Sequence, residues 1–268
     1  MKAKLKQLVP EKTWDFARHN WDGIKRMPKT VGATLHPWRR DSIRKLKALK
    51  NIHLGERCVI IGNGPSLNKT DVGRIQNEYT FGLNRIYLAW KDWGFETSFL
   101  LSINDLVIEQ CAEDFLGLSL PLFMAWRARR WLEPQENMHF LYTTYTGPKF
   151  STDASQRLWE GATVTYTALQ LAYHMGFSSV VLIGVDHSFA SKGKPNQTVV
   201  SEGDDPNHFS PKYFGKGFRW QLPDLDTSEV AYQMAHQAYL ADHRQVLDAT
   251  IGGQLQVFPK VDYDQYFN

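Results

Sequence analysis

The sequence predicts an α/β fold built on a doubly wound, mostly parallel sheet, and three observations carry that expectation. A short apolar run, Arg57–Ile61, ends on the glycine turn Gly62-Asn63-Gly64. A helical repeat over 163–175 stops at Gly176 and leads into the apolar run Ser179–Ile183, closed by Gly184-Val185-Asp186. An asparagine follows each of the first three strand candidates: Asn63, Asn84 and Asn104. Strands buried on both faces read as unbroken apolar runs. A helix feeding such a strand is the repeating unit of a doubly wound, Rossmann-like sheet.

The chain has 268 residues, 43% of them hydrophobic. That suits one α/β domain with a small appendage. Charge is unevenly spread. Residues 1–50 hold fourteen Lys or Arg against four Asp or Glu, and the remaining 218 hold seventeen against twenty-four. The expected division is therefore a basic helical N-terminal arm, 1–50, and a nucleotide-binding transferase domain, 51–268.

In the arm, Leu5, Leu8, Val9, Trp14, Phe16, Trp21, Ile24 and Met27 recur with rough helical spacing. Pro10, Pro28, Gly32 and Pro37 divide it into short pieces. Residues 41–50 read as a basic helix with Asp41 or Ser42 near its N-cap. The prolines favour an arm whose charges lie in water. Peripheral contact with an anionic membrane face is the other use of such a segment; no nucleic-acid partner is expected. No run approaches the roughly 18–20 apolar residues of a spanning helix, and no signal peptide is apparent. A cytoplasmic location follows as an expectation, with the inner membrane face as the peripheral variant. Cys58 and Cys111 read as buried thiols of a reducing compartment.

From residue 57 the elements come in order. Strands are expected at 57–61, 79–83 and 98–103, with weaker candidates at 120–124 and 139–142. A helix over 163–175 and a strand over 179–183 follow. Residues 187–226 form a long polar loop at the carboxyl end of a core strand, where such sheets place their ligands, so the loop is expected to be a lid. A helix over 227–243, with Val230, Met234 and Ala238 on one face, and a strand over 245–250 close the chain.

Gly62 and Gly64 would let the backbone approach a ligand or take positive φ. Pro65 or Ser66 would open a helix whose free amides face an anion. The pattern is neither the dinucleotide fingerprint nor a Walker A loop. The asparagine amides could read a base edge or ribose hydroxyls.

The stretch Val59-Ile60-Ile61-Gly62-Asn63-Gly64-Pro65-Ser66-Leu67, completed by Asp71, resembles the nucleotide loop of the bacterial sialyltransferases of glycosyltransferase family 42. It is also similar to the MptE-like group, which includes an archaeal 6-hydroxymethylpterin diphosphokinase and flagellin-modifying glycosyltransferases. The similarity runs through Asn84 and Asn104 and resumes at Thr163-Val164-Thr165 and Val181–Asp186. The resemblance implies a Rossmann-like transferase whose nucleotide is held by Gly62, Asn63, Gly64, Pro65, Ser66, Asn84, Asn104, Thr163, Val164 and Thr165. It implies a donor such as a CMP-linked, sialic-acid-like sugar, a glycan or small hydroxyl acceptor, and homo-oligomers.

The sequence departs from the family at two places. A family arginine falls at Gly161, and two tyrosines that help the leaving phosphate fall near Ser188 and Lys194. Lys192, Lys194, Lys216 and Arg219 are the cations that could replace them, with Tyr213 as a further stabiliser. The family base, a loop histidine, matches His208, with His187 as its rival. Asp186 has two readings: a Mg²⁺ ligand if the chain is an ATP-dependent diphosphokinase, with Asp204 and Asp205 as candidate co-ligands, or a metal-free partner of ribose or a loop amide. Arg127, Arg129, Arg130 and Trp131 form a basic aromatic cluster suited to an anionic acceptor or to plain exposure, and Trp159 and Glu160 are expected on the acceptor side. A nucleotide-binding scaffold without catalysis is the third functional reading.

Overall fold

A computed structural model describes residues 30–191 and 193–268. The calls on residues 1–29 and on Lys192 lie outside the described residues. The chain divides into two units between Asp41 and Ser42. In the first, residues 30–35 are helical, and Thr34 returns its hydroxyl to the Thr30 carbonyl at 2.8 Å.

The second unit holds an eight-stranded sheet. Its strands are β1 Arg57–Ile61, β2 Tyr79–Leu83, β3 Phe99–Ser102, β4 Leu122–Ala125, β5 Met138–Thr144, β6 Arg157–Trp159, β7 Ser179–Ile183 and, after a separate hairpin of β8 Thr198–Val200 and β9 Arg219–Gln221, β10 Gln245–Asp248. The spatial order is β10-β7-β1-β2-β3-β4-β5-β6, and each neighbouring pair is parallel. Helices are α1 Pro37–Ala48, α2 Trp90–Trp93, α3 Asp105–Gln110, α4 Ala112–Leu116, α5 Val164–Met175, α6 Leu225–Ala241 and α7 Tyr263–Tyr266. This is the mostly parallel, Rossmann-like architecture expected. Among the described residues no helix is long and apolar enough to cross a membrane.

The apolar runs explain the sheet. Cys58, Val59, Ile60 and Ile61 are fully buried, as are Val180 to Ile183. Burying each large aliphatic side chain stabilises the fold by about 1.5–3 kcal/mol. Cys58 and Cys111 are buried free thiols, and burial pushes the Cys58 thiol pKa well up.

Register matters most for the site. Ile61 lies beside Gly82 on one side and Ile183 on the other, so β1, β2 and β7 end at one edge. The chain leaves β1 toward β2 and returns to β7 on the opposite side. That reversal opens a crevice at the carboxyl ends of β1 and β7.

Four expectations need correction. The basic helix begins at Pro37 rather than near residue 41; proline suits a first helical turn because its missing N–H has no intrahelical role there. The buried face of α6 is Ser228, Ala231, Tyr232, Ala235 and Tyr239, while Val230 is 46% exposed. The two tyrosines carry the core role that aliphatic residues were expected to fill, and Tyr239 donates to the Leu169 carbonyl at 2.8 Å. The 187–226 loop is not irregular throughout, since β8 and β9 pair within it. Strand β6 was not foreseen.

Candidate functional site

The turn after β1 is built against the turn after β7. Gly62 donates to the Ile183 carbonyl at 2.8 Å and Gly64 to the Gly184 carbonyl at 2.9 Å. A Cβ on Gly62 would stand 2.3 Å from the Gly184 oxygen, and one on Gly64 would stand 1.8 Å from Asp186 Oδ2. Neither glycine has positive φ. Close approach between the two strand ends therefore demands them.

Ser66 donates its amide to Asp186 Oδ1 at 3.1 Å and its hydroxyl to Oδ2 at 2.6 Å. Ser66 is not a helix cap, and Pro65 opens only a five-residue 3-10 turn, Pro65–Lys69. The amides of Gly62, Gly64, Ser66 and Leu67 all donate within the protein, and Pro65 has none. The turn thus works as a strut between β1 and β7, and of its amides that of Asn63 has no partner among the described residues.

The three asparagines do share one edge and one cleft of about 620 Å³. Their bonding differs. Asn63 Oδ1 is buried without a partner, and a buried acceptor left unpaired is rare enough to call for a ligand donor. Asn84 sits at φ 48° and accepts from Ser102 Oγ at 3.0 Å. Asn104 caps α3, its Oδ1 accepting from Leu106 at 2.9 Å and Val107 at 3.3 Å. Its amide nitrogen is the part left for other uses.

Thr163 caps α5 through Thr165, and Thr163, Val164 and Thr165 line the cleft. The positive end of this twelve-residue helix therefore opens into it. Gly161 and Ala162 precede it at φ 52° and 61°.

The 187–226 segment packs on this edge. Phe209 donates its amide to the Asn63 carbonyl and receives the Asn68 amide, both at 2.9 Å. Arg85 donates to the Tyr213 carbonyl. Thus anchored, His208 lines the cleft. Its Nδ1 lies 2.7 Å from Asp205 Oδ2, and its ring stacks on Tyr213 at 4.0 Å and 10°. Asp205 also accepts from the amides of Asn207 and Phe214. Asp205, expected as a metal co-ligand or a solvated loop acid, is the partner that fixes the imidazole; the three-residue spacing was the available signal. Tyr213 is 1% exposed, and burial above all raises its hydroxyl pKa. The phenol stays protonated and can donate. His187 also lines the cleft, at φ 54°, with burial lowering its pKa.

The expected cations are elsewhere. Lys194, Lys216 and Arg219 do not line the cleft; Arg219 lies on the outer hairpin and pairs with Glu109 at 3.0 Å. Arg127 lines it instead, held by Asp105 at 2.9 Å and Glu160 at 2.6 Å. Burial pulls its pKa down, but Glu160 and Asp105 outweigh it. Arg127 is therefore not part of an exposed basic cluster. Glu160 lines the cleft and Trp159 does not.

A hard divalent cation wants several oxygen ligands. Both Asp186 oxygens already accept from Ser66, and Asp205 is spent on His208 and two amides. Among the described residues no three His, Cys, Asp or Glu side chains converge on a metal site. A Mg²⁺ at Asp186 would therefore have to draw most of its ligands from nucleotide phosphates and water.

Comparison with known proteins agrees with this architecture. The family model described as 6-hydroxymethylpterin diphosphokinase MptE-like matches residues 34–192, more than half of the chain. The structure is similar to the MAf glycosyltransferase of Magnetospirillum magneticum AMB-1, with a TM-score of 0.50 and 15% identity over 86% of this chain. This chain spans only 39% of that protein, and the likeness is one of fold. A mammalian sialyltransferase in complex with Gal-beta-1-3GalNAc-ortho-nitrophenol aligns at TM-score 0.39 and 12% identity, covering 87% of this chain and 86% of its own. No curated protein matches the chain by sequence.

Proposed function

The chain belongs to the MptE-like family, whose model is named for a 6-hydroxymethylpterin diphosphokinase, and from that premise we propose that it is a nucleotide-dependent transferase working in the cleft between β1, β7 and the lid. Its finer assignment is a glycosyltransferase that uses a CMP-activated, sialic-acid-like sugar in the synthesis of a surface glycan.

One observation carries the glycosyl reading: a carboxylate-held histidine stands in the same cleft as the three strand-edge asparagines. With Nδ1–H donated to Asp205, Nε2 is the free acceptor. It takes the proton of the acceptor hydroxyl as that oxygen attacks the anomeric carbon. The bond from the anomeric carbon to the nucleotide phosphate breaks, and CMP leaves with the electron pair. Asn63, Asn84 and the first turn of α5 hold the nucleotide. The neutral Tyr213 phenol and the α5 N-terminus stabilise the charge that develops on the phosphate. No step requires a metal.

The family name favours a second reading, transfer of diphosphate from ATP with Mg²⁺ to a hydroxymethyl acceptor. Titration calorimetry with CMP and ATP, each with and without Mg²⁺, tests both. CMP binding without metal is the expected result. Binding of ATP alone, and only with Mg²⁺, overturns the glycosyl reading in favour of the second. CMP binding with no turnover of any CMP-sugar leaves a nucleotide-binding scaffold.

A further inference from the structure

The sheet edge that carries the cleft does not stop at the asparagines. It continues across the carboxyl ends of β3 to β6, where Asp105, Arg127, Tyr145 and Glu160 stand. Arg127 is the one lysine or arginine lining the cleft among the described residues, against four carboxylates: Asp105, Glu160, Asp186 and Asp224. Asp186 accepts from Ser66, Asp224 accepts likewise from the amide and hydroxyl of Thr227 as the cap of α6, and Asp105 pairs with Arg130 as well as with Arg127, so the outer bay sets the carboxylates Asp105, Glu160 and Asp224 against the guanidinium groups of Arg127 and Arg130.

Glu160 is 7% exposed. Its Oε1 accepts from Arg127 at 2.6 Å, and Oε2 has no partner among the described residues. The Glu160 side chain lines the open cleft, so this second oxygen is within reach of a donor on a bound molecule. Beyond the neighbouring strand end, where Glu160 donates its amide to the Thr144 carbonyl, lies Tyr145, 47% exposed, with its hydroxyl 3.4 Å from Asp224 Oδ2. The Asn196 amide lies at the same distance from that oxygen. Burial raises the Tyr145 pKa, the Asn196 side chain offsets part of that, and the fields of Asp224 and Glu160 add to the rise, so the ring shares one bay with both acids.

We propose that this bay, formed by Glu160 on Arg127 and by Asp224 with the exposed ring of Tyr145, is the acceptor subsite, and that it selects an uncharged, hydroxyl-rich ring and rejects anionic acceptors. Carboxylate oxygens accept from ring hydroxyls in charge-assisted bonds, and the aromatic face covers the apolar face of the ring. A phosphate or carboxylate brought beside the net negative wall is disfavoured by about tenfold or more. The inference rests on the glycosyl-transfer reading, and it reverses the expectation that the cluster of Arg127, Arg129, Arg130 and Trp131 takes an anionic acceptor.

Saturation-transfer NMR on the full chain tests it, with methyl glucoside, methyl galactoside and methyl mannoside as neutral probes and the hexose 6-phosphates as anionic ones. CMP affinity is measured on the same samples. At least one neutral probe should bind, and its 6-phosphate should bind about tenfold more weakly. Tyr145→Ala, an exposed change, and Glu160→Gln, which keeps the shape, should each weaken the neutral probe by about fivefold or more. Glu160→Gln should also narrow the gap to the phosphate. Phosphates that bind as well as neutral sugars, sugar binding that survives both variants, or no sugar binding beside intact CMP binding overturns the subsite. Tyr145-dependent sugar binding without CMP binding sinks the CMP-donor reading and leaves the subsite standing.

Discussion

The Asp186 carboxylate receives both the amide and the hydroxyl of Ser66, at 3.1 and 2.6 Å, and Gly64 lies between them with no room for a Cβ. This contact ties the turn after β1 to the turn after β7 across the crevice. Gly64→Ala should drive Asp186 off Ser66 and lower unfolding stability by about 2–4 kcal/mol, from overpacking plus lost charge-assisted bonds. Gly203→Ala, with nothing within 4 Å of its Cβ, is the matched control and should change little. Urea unfolding of the two variants decides it; equal stabilities would mean the strut does not exist.

His208 and Asp205 should act as a unit. His208→Ala should cut kcat by about 100-fold or more while leaving CMP affinity nearly intact. Asp205→Asn keeps the size but no longer fixes the imidazole proton on Nδ1, and it should approach the same loss. Steady-state kinetics separates this role from a structural one. The loss should fall on kcat with KM for the donor little changed, whereas a misfolded lid would raise KM as well.

Gly161 and Ala162 make opposite predictions side by side. Ala162 holds φ 61° without the side-chain compensation an asparagine brings, so Ala162→Gly should cost nothing and gain up to about 1 kcal/mol. A Cβ on Gly161 would stand 2.5 Å from both Tyr166 Cδ1 and Ala231 Cβ, and φ is 52° there. Gly161→Ala should therefore lose about 2 kcal/mol or more. Calorimetric unfolding of the pair would contradict this if both shift in the same direction.

These residues also mark what the sequence could convey. Strands β1 and β7 were legible because each is a run of apolar residues buried on both faces, and Asn63, Asn84 and Asn104 were legible as strand-end residues. Their separate bonding was not, because Ser102 and the α3 amides compete for the same oxygens only once the sheet has formed. Arg127 read as one of several surface cations, yet its partners Asp105 and Glu160 lie 22 and 33 residues away in the chain. No local pattern encodes such a pair. The glycine motif was visible, and the structure adds a cause that no local pattern encodes: the close approach of Gly64 to Asp186, 120 residues on from Ser66. Strand β6 has only three residues and carries Arg157, too short for an alternating or continuous apolar pattern to register.

The left-handed backbone of His187 places a half-buried imidazole on the cleft wall, where burial lowers its pKa from the ordinary value of 6.5 and Glu229, 3.9 Å away, offsets only part of that. The unfolded chain then binds a proton that the native state refuses. Stability contributed by the neutral ring is present above pH 6.5 and is lost as pH falls toward the lower native pKa. His187→Asn keeps a residue that tolerates positive φ and removes the titration. Between about pH 7 and pH 5 the wild-type Tm should therefore fall more steeply than that of the variant. Subtracting one profile from the other isolates His187 from the remaining histidines. Parallel profiles would mean that the ring is solvated, and a steeper fall in the variant would mean that Glu229 raises the pKa instead.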